Sequence, residues 1–243
     1  MMIIKNGTVQ NPYVELKFNG KSSLNEHTEG RKKMTAVNGI VVHQTYSPDA
    51  ASAMNSMLQK GANSGHFLID LDGKIYQTLS LDYQANHVGR IHSRCIREMS
   101  CTPSELPELE RLYKNSAANA SRIHQIEQKK PHSDRYSTNA DSIGIECVGM
   151  AYRYDKYGKL SPDQKDGPGK KEKIYDDLTD AQKQSLKWLT KELSSTLNVE
   201  MSNVFVHSDI AWKNPTEAIS AKDTIQELQK EEAENTANSG PAM

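Results

Sequence analysis

The chain predicts an α/β fold, a single domain with a central mixed β-sheet flanked by helices. Short β-branched runs, "NGIVVHQ" at 38–44 and "DSIGIECVG" at 141–149, read as buried strands. Against them stand segments of helical spacing, of which "LTDAQKQSLKWLTKELSSTLN" at 178–198 is the clearest. The resulting order of strand, helix, hairpin, strand, helix, strand implies helices packed on a sheet, and in such sheets functional groups collect where strands end.

Residues 1–36 are polar and turn-rich and end in the basic "EGRKK"; they predict an N-terminal arm with one edge strand around Val14 to Phe18. After the strand at 38–44, "SPDAASAMNSMLQKG" opens with Ser and Pro, continues in helix formers and reaches Gly61 just past its end, the usual punctuation of a helix. "GHFLIDLDGKIYQTLSL" holds two β-rich runs around a tight turn at Asp72 and Gly73, which predicts a hairpin. Residues 91–138 bring a Cys-containing loop and the helical pattern "SELPELERLYKNSAANASRIHQIEQ", as expected of an insertion that lines or covers something. Residues 152–177, rich in Tyr, Lys, Asp and Gly without periodicity, read as a long loop. In the helix that follows, Thr179 and Gln182 make a capping box, and Leu186, Leu189, Leu193 and Leu197 share one face. Residues 220–243 are charged and then small and polar, predicting a short helix that frays into a disordered tail. The domain itself is expected to span 37–219.

A chain of 243 residues can bury a sizeable core. Its 30 basic and 31 acidic residues leave a net charge of −1, without the positive footprint of a nucleic-acid or polybasic membrane binder. No stretch of about 18 apolar residues is present to insert in a bilayer. The opening "MMIIKNGTVQNPYVELKF" lacks the apolar core of a secretory signal, so synthesis in the cytoplasm without general export is expected. Three cysteines are too few for a disulfide framework. Cys147 sits in an apolar run, where a buried thiol is expected, while Cys95 and Cys101 can pair in an oxidising compartment.

Two fragments far apart, "GIVVHQT" at 39–45 and "VFVHSDIAWKNPTEA" at 204–218, each run apolar residues into a histidine and then turn polar. A neutral imidazole at a strand end has a fixed direction and an open side, which suits a zinc ligand. Catalytic zinc sites use three protein ligands and keep the fourth position open, so a further donor is sought after His207. Asp209 follows too closely to turn back onto the same ion, whereas the loop "SDIAWKNPT" gives Glu217 a full reversal. Metal ligands His43, His207 and Glu217 are therefore expected, with Asp209 a loop-capping acid.

In these motifs the chain resembles the zinc N-acetylmuramoyl-L-alanine amidases, relatives of the peptidoglycan-recognition proteins. "VVHQT" resembles that family's first-ligand strand, and "NSGHFLIDLDGKIYQTLSLDYQANHVG" its hairpin and His-x-Gly segment. "NADSIGIECVG" is similar to the strand with the catalytic acid, "LTDAQKQSLKWLTKEL" to the long helix, and "VFVHSDIAWKNPTEA" to the second-ligand loop. The resemblance implies zinc ligands at His43 and His207, with Glu217 where many members have an aspartate and others a cysteine. It implies Glu146 as the acid that activates the hydrolytic water, and it sets Lys213 near the family's positive charge at the oxyanion, at a different offset. His87, in "NHVG", is expected to line the substrate groove or to be structural. His66 is expected to be structural or to orient a ligand, and His27, His92, His124 and His132 to be surface residues.

The implied reaction cuts the amide joining the lactyl group of N-acetylmuramic acid to L-alanine in peptidoglycan or muropeptides. Cytosolic wall recycling, phage lysis, and delivery into a rival's periplasm by an apparatus such as type VI secretion all fit. The large insertion and long arms favour a secreted antibacterial effector, with an immunity protein that plugs the cleft. The contrasting expectation is a non-catalytic peptidoglycan-binding module, which loss of a ligand would favour and an acid at position 146 opposes.

Overall fold

In the computed structural model, residues 2–17, 31–59, 61–154, 159–162 and 173–238 are described. His27, much of the loop expected over 152–177, and residues 239–243 lie outside them.

The central sheet has six strands: β3 (Val14–Leu16), β4 (Gly39–Gln44), β5 (Phe67–Ile69), β6 (Ile75–Gln77), β7 (Ser142–Cys147) and β11 (Val204–Val206). Their order is β11-β4-β7-β5-β6-β3. The first four in that order run parallel, β6 returns antiparallel through the hairpin, and β3 pairs parallel with β6 at the edge. Around the sheet lie helices α1 (Ala50–Met57), α2 (Arg94–Arg97), α3 (Leu106–Tyr113), α4 (Ser116–Glu127), α5 (Asp180–Leu197), α6 (His207–Ile210) and α7 (Ile219–Asn238). The mixed sheet flanked by helices is the architecture the sequence predicts.

Strand alternation decides what each face receives. Ile40 and Val42 of β4, Ile143, Ile145 and Cys147 of β7, and Phe67 and Ile69 of β5 enter the main core, where they meet Leu186, Leu189 and Leu193 of α5. On the opposite face Val41 packs with Val88, Ile91, Tyr136 and Ile210. Cover on both faces explains why β4 is buried along its whole length and reads as a continuous apolar run. It also sends His43, two residues after Val41, and Glu146, two after Gly144, to the face away from α5. The parallel register sets these two residues side by side.

Helix α5 starts from the expected capping box: Thr179 Oγ1 accepts from Gln182 N at 3.1 Å, and Gln182 Oε1 accepts from Thr179 N at 3.0 Å. The Thr179 hydroxyl also donates to Leu71 O, which ties the helix to the β5–β6 turn. Thr179→Ala should cost about 1 kcal/mol of stability, read as a lower midpoint in chemical denaturation; an unmoved midpoint would show that the cap contributes nothing.

The expectations for the ends and insertions need correction. Residues 219–238 form one helix, α7, longer than the short helix expected there. Ala221, Ile225 and Leu228 fall on one face and join the core beside α5, and Lys187–Glu227 and Lys191–Glu231 ion pairs bridge the two helices. The N-terminal segment contains a hairpin, β1 (Ile3–Lys5) and β2 (Thr8–Gln10), besides edge strand β3. Its Met2, Val9 and Val14 are core residues. Within 152–177, strands β8 (Ala151–Tyr154), β9 (Leu160–Pro162) and β10 (Ile174–Tyr175) make a small antiparallel sheet where a loop is expected.

The 91–138 pattern becomes two helices, α3 and α4, broken at Lys114 and Asn115. This insertion is tied to the chain just after His207: Ile91 bridges Ala211, and the His92 ring packs tilted against Trp212 with ring centroids 4.0 Å apart. His92 is thus buried, against the surface position expected for it. Cys95 and Cys101 form a disulfide, and Cys147 is a buried free thiol.

Candidate metal centre

Strand β4 delivers His43 near its end, and β11 gives out at Val206, so that His207 begins α6. Because β11 and β4 are parallel neighbours with Val206 opposite Val42, the two histidines emerge side by side. The chain then reverses through the turn at 215–218 and returns Glu217 to them. His43 Nδ1 lies 2.8 Å from His207 Nδ1, which lies 2.9 Å from Glu217 Oε1, and His43 Nδ1 is 3.6 Å from the same oxygen. All three side chains are buried, and among the described residues they form the one group of His, Cys, Asp and Glu arranged to hold a metal ion.

The electrostatics of the cluster match its crowding. Burial and the neighbouring His207 push His43 down to about 3. Burial would raise the Glu217 carboxyl, but its contacts with His207 and His43 outweigh that and hold it well below the usual carboxylate range. His207 Nε2 donates to Val88 O at 2.8 Å, so in the neutral ring its Nδ1 presents a lone pair to Glu217. A lone pair facing a carboxylate in a buried site calls for a cation between them, a proton in the metal-free chain or a metal ion bound there.

Glu146 stands beside this cluster, partly buried, in a cleft of about 310 Å³ lined by all three candidate ligands, His87 and Lys213. Burial and then the charge of Glu217 push Glu146 up to about 8, with Lys213 acting in the opposite direction. A carboxyl raised in the folded state destabilises that state as it ionises. Metal-free protein should therefore lose stability as pH rises from the ordinary value of 4.5 towards 8. Metal-free Glu146→Gln should become progressively more stable than metal-free wild type over that window. A thermal-melt difference constant with pH would show that Glu146 ionises freely in the folded chain.

The remaining sequence expectations fall as follows. Asp209 stands apart from the cluster, paired with Lys222 at 2.9 Å. His66 is fully buried; its Nδ1 accepts from Gly144 N at 3.0 Å and its Nε2 donates to Tyr83 O at 2.9 Å, so it braces the backbone. His87 lines the cleft but has a ring nitrogen 2.9 Å from His43. His124 Nδ1 accepts from Ile91 N, and His132 is exposed. The insertion lends no residue to the cleft, whose further lining includes Tyr46, Asn63, Ser64, Asn139 and Tyr175. Sequence reasoning singled out none of these five: Asn63 and Ser64 precede β5, Asn139 precedes β7, and Tyr46 and Tyr175 come from two further segments, so only the fold brings them to one cleft.

Two imidazoles and a carboxylate that meet where parallel strands of the sheet end, with a further acid in the same cleft, fit the class of hydrolases whose cleft has side chains that could hold a metal ion. Within that class the chain belongs to the N-acetylmuramoyl-L-alanine amidase family (Amidase_2), whose model matches residues 33–220. Among solved structures it is similar to the endolysin N-acetylmuramoyl-L-alanine amidase LysCS from Clostridium intestinale URNW, with 14% identity and a TM-score of 0.50 over 90% of this chain and 97% of that one. The PlyG catalytic domain follows at 16% identity and a TM-score of 0.48, over 89% of this chain and 93% of that one. AmpDh3 from Pseudomonas aeruginosa is 19% identical with a TM-score of 0.47, over 87% of this chain and 65% of that one. The likeness to LysCS is one of fold. No curated protein matches the chain in sequence.

Proposed function

We propose that the chain is a zinc-dependent amidase that hydrolyses the bond between the lactyl group of N-acetylmuramic acid and L-alanine in peptidoglycan. The observation that carries this reading is the convergence of His43, His207 and Glu217, in a member of this family, beside the acid Glu146. Two imidazole nitrogens and one carboxylate oxygen are a donor set that zinc accepts. Their separations of 2.8, 2.9 and 3.6 Å bracket the roughly 3.3 Å between neighbouring ligands of a tetrahedral zinc. Bound there, zinc would supply Lewis acidity to the scissile carbonyl and lower the pKa of water.

The chain's own residues account for the rest. Glu146 takes the proton of the attacking water and hands it to the departing amine, since an amide nitrogen leaves poorly unless protonated. Lys213, in the same cleft, offers its ammonium to the carbonyl oxygen as charge develops there. Tyr46, Asn63 and Tyr175 are placed to orient the peptide. A cleft that keeps Glu146 with a full ligand set favours cutting over binding alone.

The Cys95–Cys101 disulfide supports a place of work outside a reducing cytoplasm. A secreted antibacterial effector that meets its substrate in a target periplasm satisfies that condition, and cytosolic wall recycling does not. No described helix is long and apolar enough to cross a membrane. Mass spectrometry of digests of purified sacculi tests the reaction: free stem peptides beginning with L-alanine should appear without chelator and vanish with it. Products cut within the stem peptide would overturn the bond assignment.

A further inference from the structure

We infer that the segment His87–Val88 is the positioning device of the metal centre, fixing both histidines so that each turns its Nδ1 lone pair to the ion. This rests on the metal reading above and goes beyond it by assigning His87 to the ligands rather than to substrate.

The argument follows the protons along one chain of hydrogen bonds. Thr138 O can only accept, and it takes the Ser142 hydroxyl proton at 2.6 Å. Ser142 Oγ, its one proton used, must then accept from His87 Nε2 at 3.1 Å. A His87 ring that carries its proton on Nε2 presents a bare Nδ1, and His43 Nε2 lies 2.9 Å from it. His43 therefore donates from Nε2, which leaves its Nδ1 free towards His207 and Glu217. The next residue does the same for the other ligand, because Val88 O accepts from His207 Nε2.

Two further features hold this segment in place. Asn139 Oδ1 accepts from the backbone N–H of both His87 and Val88, at 3.0 and 2.8 Å. Gly144 leaves the room the ring needs, since a Cβ there would stand 2.8 Å from His87 Nδ1. A backbone carbonyl thus dictates the tautomer of a ligand three groups away, and neither imidazole has to reorient when the ion arrives.

The test reads tautomer and metal affinity rather than turnover. In zinc-free wild type, ¹⁵N NMR of the imidazoles should find His43 and His207 protonated on Nε2, and His43 protonated on Nδ1 would overturn the inference. His87→Phe should weaken zinc binding, measured against a competing chelator, by about 10- to 100-fold. His87→Asn, which can return an acceptor to His43, should recover part of that loss. Should His87→Phe fail to fold, Ser142→Ala removes the anchor from outside the ligand pair and should let His87 and His43 populate both tautomers. Unchanged zinc affinity in His87→Phe, or an unchanged tautomer in Ser142→Ala, would also overturn it. A wild-type chain that takes up no zinc would end the metal reading, and the zinc-free tautomer then decides this inference by itself.

Discussion

Glu146→Gln is expected to bind one zinc per chain as wild type does while losing about 10²- to 10⁴-fold in kcat, the usual contribution of a general acid–base group. The separation of the two effects follows from geometry. Glu146 lies in the cleft beside the ligands without belonging to the cluster that gathers around His207 Nδ1. Glutamine keeps the shape and removes the ionisable oxygen, so metal content by elemental analysis should stay and release of stem peptides should fall. Undiminished turnover would take Glu146 out of the mechanism, and loss of zinc would make it a ligand.

The parts of this fold legible in the sequence are those in which one local signal suffices. Helix α5 carries a cap and a leucine stripe, and β4 and β7 carry β-branched runs that only a sheet covered on both faces needs. Loop length suffices to return Glu217 rather than Asp209 to His207, because a turn must intervene before a side chain can face back, and the Glu217 carboxylate lies 2.9 Å from His207 Nδ1.

Helix α7 was illegible for a physical reason: its apolar face is narrow, with Ala221, Ile225 and Leu228 among charged residues, and it is helical because α5 offers it a core and two cationic partners. The β1–β2 hairpin carried a signal that was passed over, the Asn6-Gly7 pair, whose φ values of 51° and 69° suit a tight primed turn. His92 and His87 show the limit of reading residues singly. In each, the surroundings that decide its role come from distant segments: Trp212 for the first, His43 and Ser142 for the second.

Removing the metal, or the carboxylate that helps hold it, should have the largest effect of all. Chelation should abolish wall hydrolysis and zinc should restore it; a metal-free preparation that still cuts would end the zinc reading. Glu217→Ala should lose zinc along with activity, because it leaves two neutral imidazoles to hold a divalent ion in a buried site whose negative charge came from that carboxyl. Asp209→Ala should retain the metal, since that side chain is 44% exposed and already paired with Lys222. Its loss removes an exposed ion pair, which contributes little to stability. The two variants differ by one acid eight residues further along the same loop, so their contrast isolates the ligand set from general damage to the fold. If Asp209→Ala lost zinc and Glu217→Ala kept it, the loop would close on the ion through the nearer acid, and the reversal at 215–218 would have to be explained by packing alone.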